Sequence, residues 1–215
     1  MDFSVPMALV DFIPVILFLV TAVLLQRSFY GLLVKGACSL LAAGTICITA
    51  AGIFKALWKL LYALGVCDFV KLNQVFFPMQ TLGFVLAGIA LLWYAFSGGN
   101  GKAVAERATG ALAAVAIAAQ PQEYSGTMIF VALMVLGLLG ICLGLFLVAK
   151  RMHQPLSMVL FVLAFIFMLA MGYLSSRDSS SAVMNWIDEL VNTAGQLCLL
   201  FGVVRLNKAG LGKAA

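Results

Sequence analysis

Asn185, Glu189, Asn192 and Gln196 recur at intervals of four, three and four residues inside an otherwise apolar stretch. That spacing places them on one helical stripe. At about 1.5 Å per residue, Gln196 lies roughly 17 Å along the axis from Asn185. Asp188 and Thr193 flank the row. A second apolar stretch carries Asn73, Gln80 and Thr81, with Pro78 among them, and a third carries Asp11 followed by Pro14. Pro78 removes a backbone donor and frees a carbonyl a turn earlier, near Gln74.

Carboxamides, hydroxyls and a carboxylate in such rows can bind a small polar solute, so Asn73, Gln80, Thr81, Asn185, Glu189, Asn192 and Gln196 are candidate substrate-binding residues. Asp11, Asp188 and Glu189 are candidates for coupling to a proton or an ion. A plainer reading stands beside this one. Asn73, Asn185 and Glu189 would be solvated helix ends, and Gln80, Asn192 and Gln196 would be hydrogen-bonding glue between helices.

Other chemistry lacks its groups. The single histidine, His153, follows Lys150-Arg151-Met152 in a connection, so bis-histidine haem, multi-histidine zinc and histidine-base protease sites lose their essential residues. The five cysteines, Cys38, Cys47, Cys67, Cys142 and Cys198, show no metal-site spacing; they read as small apolar packing residues. Gly98-Gly99-Asn100-Gly101-Lys102 lacks the Ser or Thr and the spacing of a phosphate loop and reads as a turn. No enzyme, metal or cofactor is expected.

The elements that hold these residues follow from composition. Of 215 residues, 64% are hydrophobic and 10% charged, against roughly a quarter charged in soluble domains. About 20 apolar residues cross a bilayer as a helix. Spans are expected at Met7 to Gln26, Leu33 to Phe54, Val75 to Phe96, Val104 to Ala119, Met128 to Ala149, Leu156 to Ser175 and Ala182 to Val204. The fourth is short and rich in small residues, and a re-entrant or interfacial segment is its alternative. The stretch Lys55 to Leu64 either lies along the outer interface, with Trp58 and Tyr62 at headgroup level, or continues the second span.

Basic residues set the orientation. With seven spans, Arg27, Lys35, Lys102, Arg107, Lys150, Arg151, Arg205, Lys208 and Lys213 fall on one side, nine of the thirteen Lys and Arg, against Lys55, Lys59, Lys71 and Arg177 on the other. The positive-inside rule makes the first side cytoplasmic, with the N-terminus outside and the C-terminus inside. The fold class expected is therefore an all-α integral membrane protein of the cell membrane. The first six residues carry no basic region and precede no cleavage site, so the first span is expected to be retained.

An internal repeat is expected as well. Setting Asn73 on Asn185, an offset of 112 residues, also superposes Thr81 on Thr193 and Gly83 on Gly195, and puts Gln80 on Asn192. Gln26-Arg27 ends the first span as Lys150-Arg151 ends the fifth, and Gly52 lies near the end of the second as Gly172 does in the sixth. The halves would be residues 1–97 and 121–215, with 98–120 as a linker helix that gives both the same orientation, a known carrier plan.

In this layout the chain resembles the SWEET and PQ-loop family of sugar and amino-acid carriers, which are three-plus-one-plus-three proteins with an outside N-terminus. The resemblance implies that Asn73 and Asn185 pair across the substrate site. Pro14, without a counterpart in the fifth span, and Gln120-Pro121-Gln122, in a loop, depart from that family's proline pattern. The expected function is transport of a small polar solute through a cavity between spans one, three and seven. The alternative is a seven-helix sensor or accessory subunit that binds a ligand and acts through a partner protein. The partners implied are the bilayer, the solute, and a second copy of the chain or another membrane protein, with no nucleic acid.

Overall fold

The computed structural model describes residues 4–97, 125–175 and 182–212. All regular structure among them is α-helical: α1 (Val5–Val10), α2 (Phe12–Phe29), α3 (Lys35–Ala63), α4 (Val70–Ser97), α5 (Ser125–Arg151), α6 (Pro155–Ser175) and α7 (Ala182–Lys208). Among the described residues, six segments are long and apolar enough to cross a membrane, α1 and α2 counting together as Val5–Phe29. The chain is thus a multi-pass helical membrane protein. The expected fourth span, Val104 to Ala119, and the Gly98–Lys102 turn lie outside the described residues.

Local sequence explains the elements' limits. Pro14 offers no N–H to the Val10 carbonyl and its ring crowds that carbonyl, and the helix breaks at Asp11, between α1 and α2. At its far end α3 closes with Gly65 at φ 66°. There the Val66 N–H donates to the Leu61 carbonyl and the Gly65 N–H to the Tyr62 carbonyl, a glycine-dependent stop. Between these limits α3 runs 29 residues, roughly 43 Å against a hydrocarbon core of about 30 Å. The stretch Lys55 to Leu64 therefore continues the second span, the second of the two courses open to it, and is not a separate interfacial helix. Trp58 Nε1 clips this end to the following loop, donating to Asp68 Oδ1 at 2.9 Å.

The helices pack as a closed ring in chain order, α2 to α7, with α7 returning to α2. Lipid-type side chains such as Leu9, Ile16, Val23, Leu136, Val159 and Ile166 point outward. Phe18, Leu41, Ile48, Phe84, Leu145, Phe161 and Leu199 belong to the buried core.

Two neighbouring pairs in the ring run parallel. Along α4 and α5 the contacts advance together: the Thr81 hydroxyl donates to the Phe130 carbonyl at 3.1 Å, Gly88 meets Gly137, Leu91 meets Gly144, and Arg151 donates to the Ala95 carbonyl. Along α2 and α7, Asp11 and Glu189 share a partner at one end, while at the other Ser28 Oγ lies 2.6 Å from Asn207 Oδ1. The α4–α5 contact is close because both partners lack a side chain. A Cβ on Gly88 would lie 2.5 Å from the Gly137 carbonyl oxygen, and one on Gly137 would lie 2.5 Å from the Phe84 backbone. In a membrane such proximity supplies the dispersion contacts that hold helices together.

Candidate functional site

The charged groups of the site come from three separate places in the chain. The α1–α2 break presents Asp11, the last turns of α3 present Lys55 and Lys59, and the first turns of α7 present Glu189. Lys59 Nζ lies 2.5 Å from Asp11 Oδ2 and 3.4 Å from Glu189 Oε1. All three residues are at least nine-tenths buried, with Asp11 5%, Glu189 7% and Lys59 8% exposed. Asp188, also buried, and Lys55 interact electrostatically with this group. Lys55 Nζ sits 4.3 Å from the centroid of the Phe76 ring on α4, a distance at which the ring face attracts an ammonium.

Beside the ion cluster is a cavity of about 110 Å³. Its polar wall is made by Asp11, Thr49, Lys55, Gln80, Glu189, Asn192 and Gln196. Its apolar wall includes Phe18, Ile48, Phe76, Phe84, Leu138 and Met171, so every helix from α2 to α7 contributes. Gln196 is seven residues beyond Glu189, roughly 10 Å deeper along α7. The space corresponds to the liquid volume of roughly four water molecules.

The fully buried atoms left without a partner here are acceptors. Asp11 Oδ1, Glu189 Oε2 and Gln196 Oε1 are buried and receive no hydrogen bond among the described residues, as does Asp188 Oδ1 nearby. Buried polar atoms are normally paired, and each exception calls for a physical reason. Removing even a paired carboxylate and ammonium from water costs several kcal/mol per ion, which mutual attraction does not always return. A structural role alone is served better by apolar side chains. Ionisable residues held in this way inside a membrane protein mark ligand or ion pathways.

The residues singled out from the sequence divide into two sets. Asp11, Gln80, Glu189, Asn192 and Gln196 converge on the cavity. Asn73 and Asn185 are half-buried on α4 and α7 outside its lining, and Thr81 is fully buried with its hydroxyl on the α4–α5 seam. Asp188 joins the charge cluster without lining the cavity. Sequence reasoning missed Lys55 and Lys59, which it counted as flanking charges. The signal available was their separation by four residues, one helical turn, in a segment otherwise apolar enough to continue the span.

What the arrangement can do is bind and orient. Among the described residues no group of three or more His, Cys, Asp or Glu side chains could hold a metal ion. His153 is exposed in the α5–α6 turn, at φ 53°. Comparison of the chain with family models, curated proteins and solved structures gave no match.

Proposed function

We propose that the chain is a seven-span carrier for a small polar solute, which binds in the central cavity between the first, third and last spans. One observation carries this reading: buried polar atoms at the α1–α2 break and on α7, without a hydrogen-bond partner among the described residues, converge on a cavity within a closed helical ring. A ring held only by packing has no use for them.

The parallel course of α4 and α5 supports the seven-span topology. Because α4 and α5 run parallel, Ser97 at the end of one and Ser125 at the start of the other lie at opposite ends of that pair, and the connection between them is assigned a further crossing. Twenty or so helical residues make such a crossing, and residues 98–124 suffice. An outside N-terminus and a cytoplasmic C-terminus then follow from the distribution of Lys and Arg.

The repeat draws support from packing. A Cβ at Gly83 would meet the Gly44 carbonyl and Ile48, and one at Gly195 would meet the Ala164 carbonyl and Met168. Gly83 and Gly195 are the residues superposed by the offset of 112, and Gly44, Ile48 and Gly52 map onto Ala164, Met168 and Gly172 with a single offset of 120. The two parallel contacts, α4 with α5 and α7 with α2, are also the pairs that a two-fold axis through the ring would exchange. Units 1–97 and 121–215 on either side of a linker would rock about the cavity, in the manner of the SWEET and PQ-loop carriers that the layout resembles.

Uptake by proteoliposomes containing the purified chain tests the proposal. Saturable flux that falls at least tenfold in Gln196→Ala, with folding retained, is expected. Saturable ligand binding without flux would replace the carrier by a sensor.

A further inference from the structure

Resting on that reading, we infer that the solute is a small organic monocation, a short alkylammonium, held through its N–H donors by Glu189, Asp11 and Gln196 with its carbon chain against the phenylalanines. Three features of the cavity point to it. The first is hydrogen-bond accounting. Among the described residues, the fully buried lining atoms without a hydrogen-bond partner are Asp11 Oδ1, Glu189 Oε2 and Gln196 Oε1, all acceptors, on side chains more than nine-tenths buried. An ammonium group carries three donors and no acceptor, the complement of that set.

The second is charge. Asp11 at the α1–α2 break and Asp188 and Glu189 on α7 face Lys55 and Lys59 on α3, three carboxylates against two ammonium groups when all are ionised. One added positive charge balances the cluster, whereas an added anion would double the excess. Lys59 is already committed to Asp11 and Glu189, and Lys55 lies over the Phe76 ring. The third is the opposite wall. Phe18, Phe76 and Phe84 line the same cavity; such rings accept a short hydrocarbon chain and attract a cation. A bare metal ion would leave that wall unused, and a cavity of about 110 Å³ suits a solute of only a few heavy atoms.

The full chain, purified in detergent, is titrated calorimetrically with n-propylammonium chloride, sodium propionate, β-alanine and sodium chloride. Saturable binding of propylammonium to one site per chain is expected, at least tenfold tighter than β-alanine and with no saturable heat from propionate. Glu189→Gln and Gln196→Ala should each weaken it at least tenfold, with cooperative thermal melts showing that both variants fold. Preference for propionate or β-alanine, binding of sodium alone, absence of saturable propylammonium binding, or unchanged affinity in both folded variants would overturn the inference. The carrier reading is judged separately by flux in proteoliposomes: propylammonium binding without flux removes transport and keeps the ligand class, while flux of another solute keeps transport and removes the ammonium.

Discussion

Lys59 Nζ and Asp11 Oδ2 stand 2.5 Å apart at the meeting of α3 with the α1–α2 break, and the same ammonium reaches Glu189 on α7. One cation thus joins the first, second and last membrane segments. Replacing it leaves two carboxylates buried together with no counter-charge in contact. Lys59→Met should lower stability by about 3–5 kcal/mol, the usual cost of breaking a buried pair from one side. Chemical unfolding in detergent measures it. Adding Asp11→Asn to Lys59→Met should recover part of the loss, with a coupling energy of about 0.5–3 kcal/mol; simple additivity would argue against a direct pair.

The Gly88–Gly137 contact makes a prediction of opposite character, independent of charge. A Cβ at Gly137 has backbone within 2.5 Å and no flexible neighbour to yield. Gly137→Ala should destabilise the protein by about 1–3 kcal/mol through forced separation of α4 and α5. Gly172, whose added Cβ would meet nothing within 4 Å, serves as control. A melt in which Gly172→Ala behaves as the wild type and Gly137→Ala does not is the expected result.

Topology is open to impermeant thiol reagents. The seven-span reading places the α3–α4 connection with Cys67 on one side of the membrane, and the α5–α6 turn with His153 on the side shared by the α2–α3 connection. In a background without the other cysteines, His153→Cys should be labelled from the same side as Gly31→Cys, and Cys67 from the opposite side. Labelling of His153→Cys and Cys67 from one common side would remove the crossing between α4 and α5.

Thr81 and Gln80 offer a functional contrast between neighbours. Successive residues on a helix point about 100° apart, so Gln80 lines the cavity while Thr81 bonds the Phe130 carbonyl on α5. Gln80→Ala should reduce solute flux at least tenfold with little change in melting temperature. Thr81→Val should instead lower stability by about 1 kcal/mol, the net value of a hydrogen bond, and leave the flux per folded molecule unchanged.

That contrast also shows what was legible in the sequence. Hydropathy marks the spans because length and apolarity are local properties, and six such segments are present among the described residues. Asp11, Gln80, Glu189, Asn192 and Gln196 could be nominated because polar groups in apolar helices rarely face lipid. Thr81 could not be separated from Gln80, since the turn of α4 relative to α5 is fixed by the glycine contact and not by anything in α4 alone. Asn73 and Asn185 lie seven residues before Gln80 and Asn192, about two helical turns, and outside the cavity lining. Lys59 was hidden by its own charge: a lysine near the end of a span reads as a flanking residue until Asp11 and Glu189 are known to meet it.

The clasp between Lys59 and Asp11 also bears on the order in which the chain enters the bilayer. Within the stretch Val5–Phe29 the one basic residue, Arg27, stands 16 residues beyond Asp11, roughly 24 Å along the axis, so the carboxylate has no counter-ion close to it in its own membrane-crossing stretch. Lys59 supplies one as soon as the next long helix is made. The first two long segments are therefore matched as an insertion hairpin, each bringing the charge that makes the other tolerable. Glu189 arrives last, at a lysine already engaged, and closing the ring becomes the step in which the ion pair turns into a cluster of three.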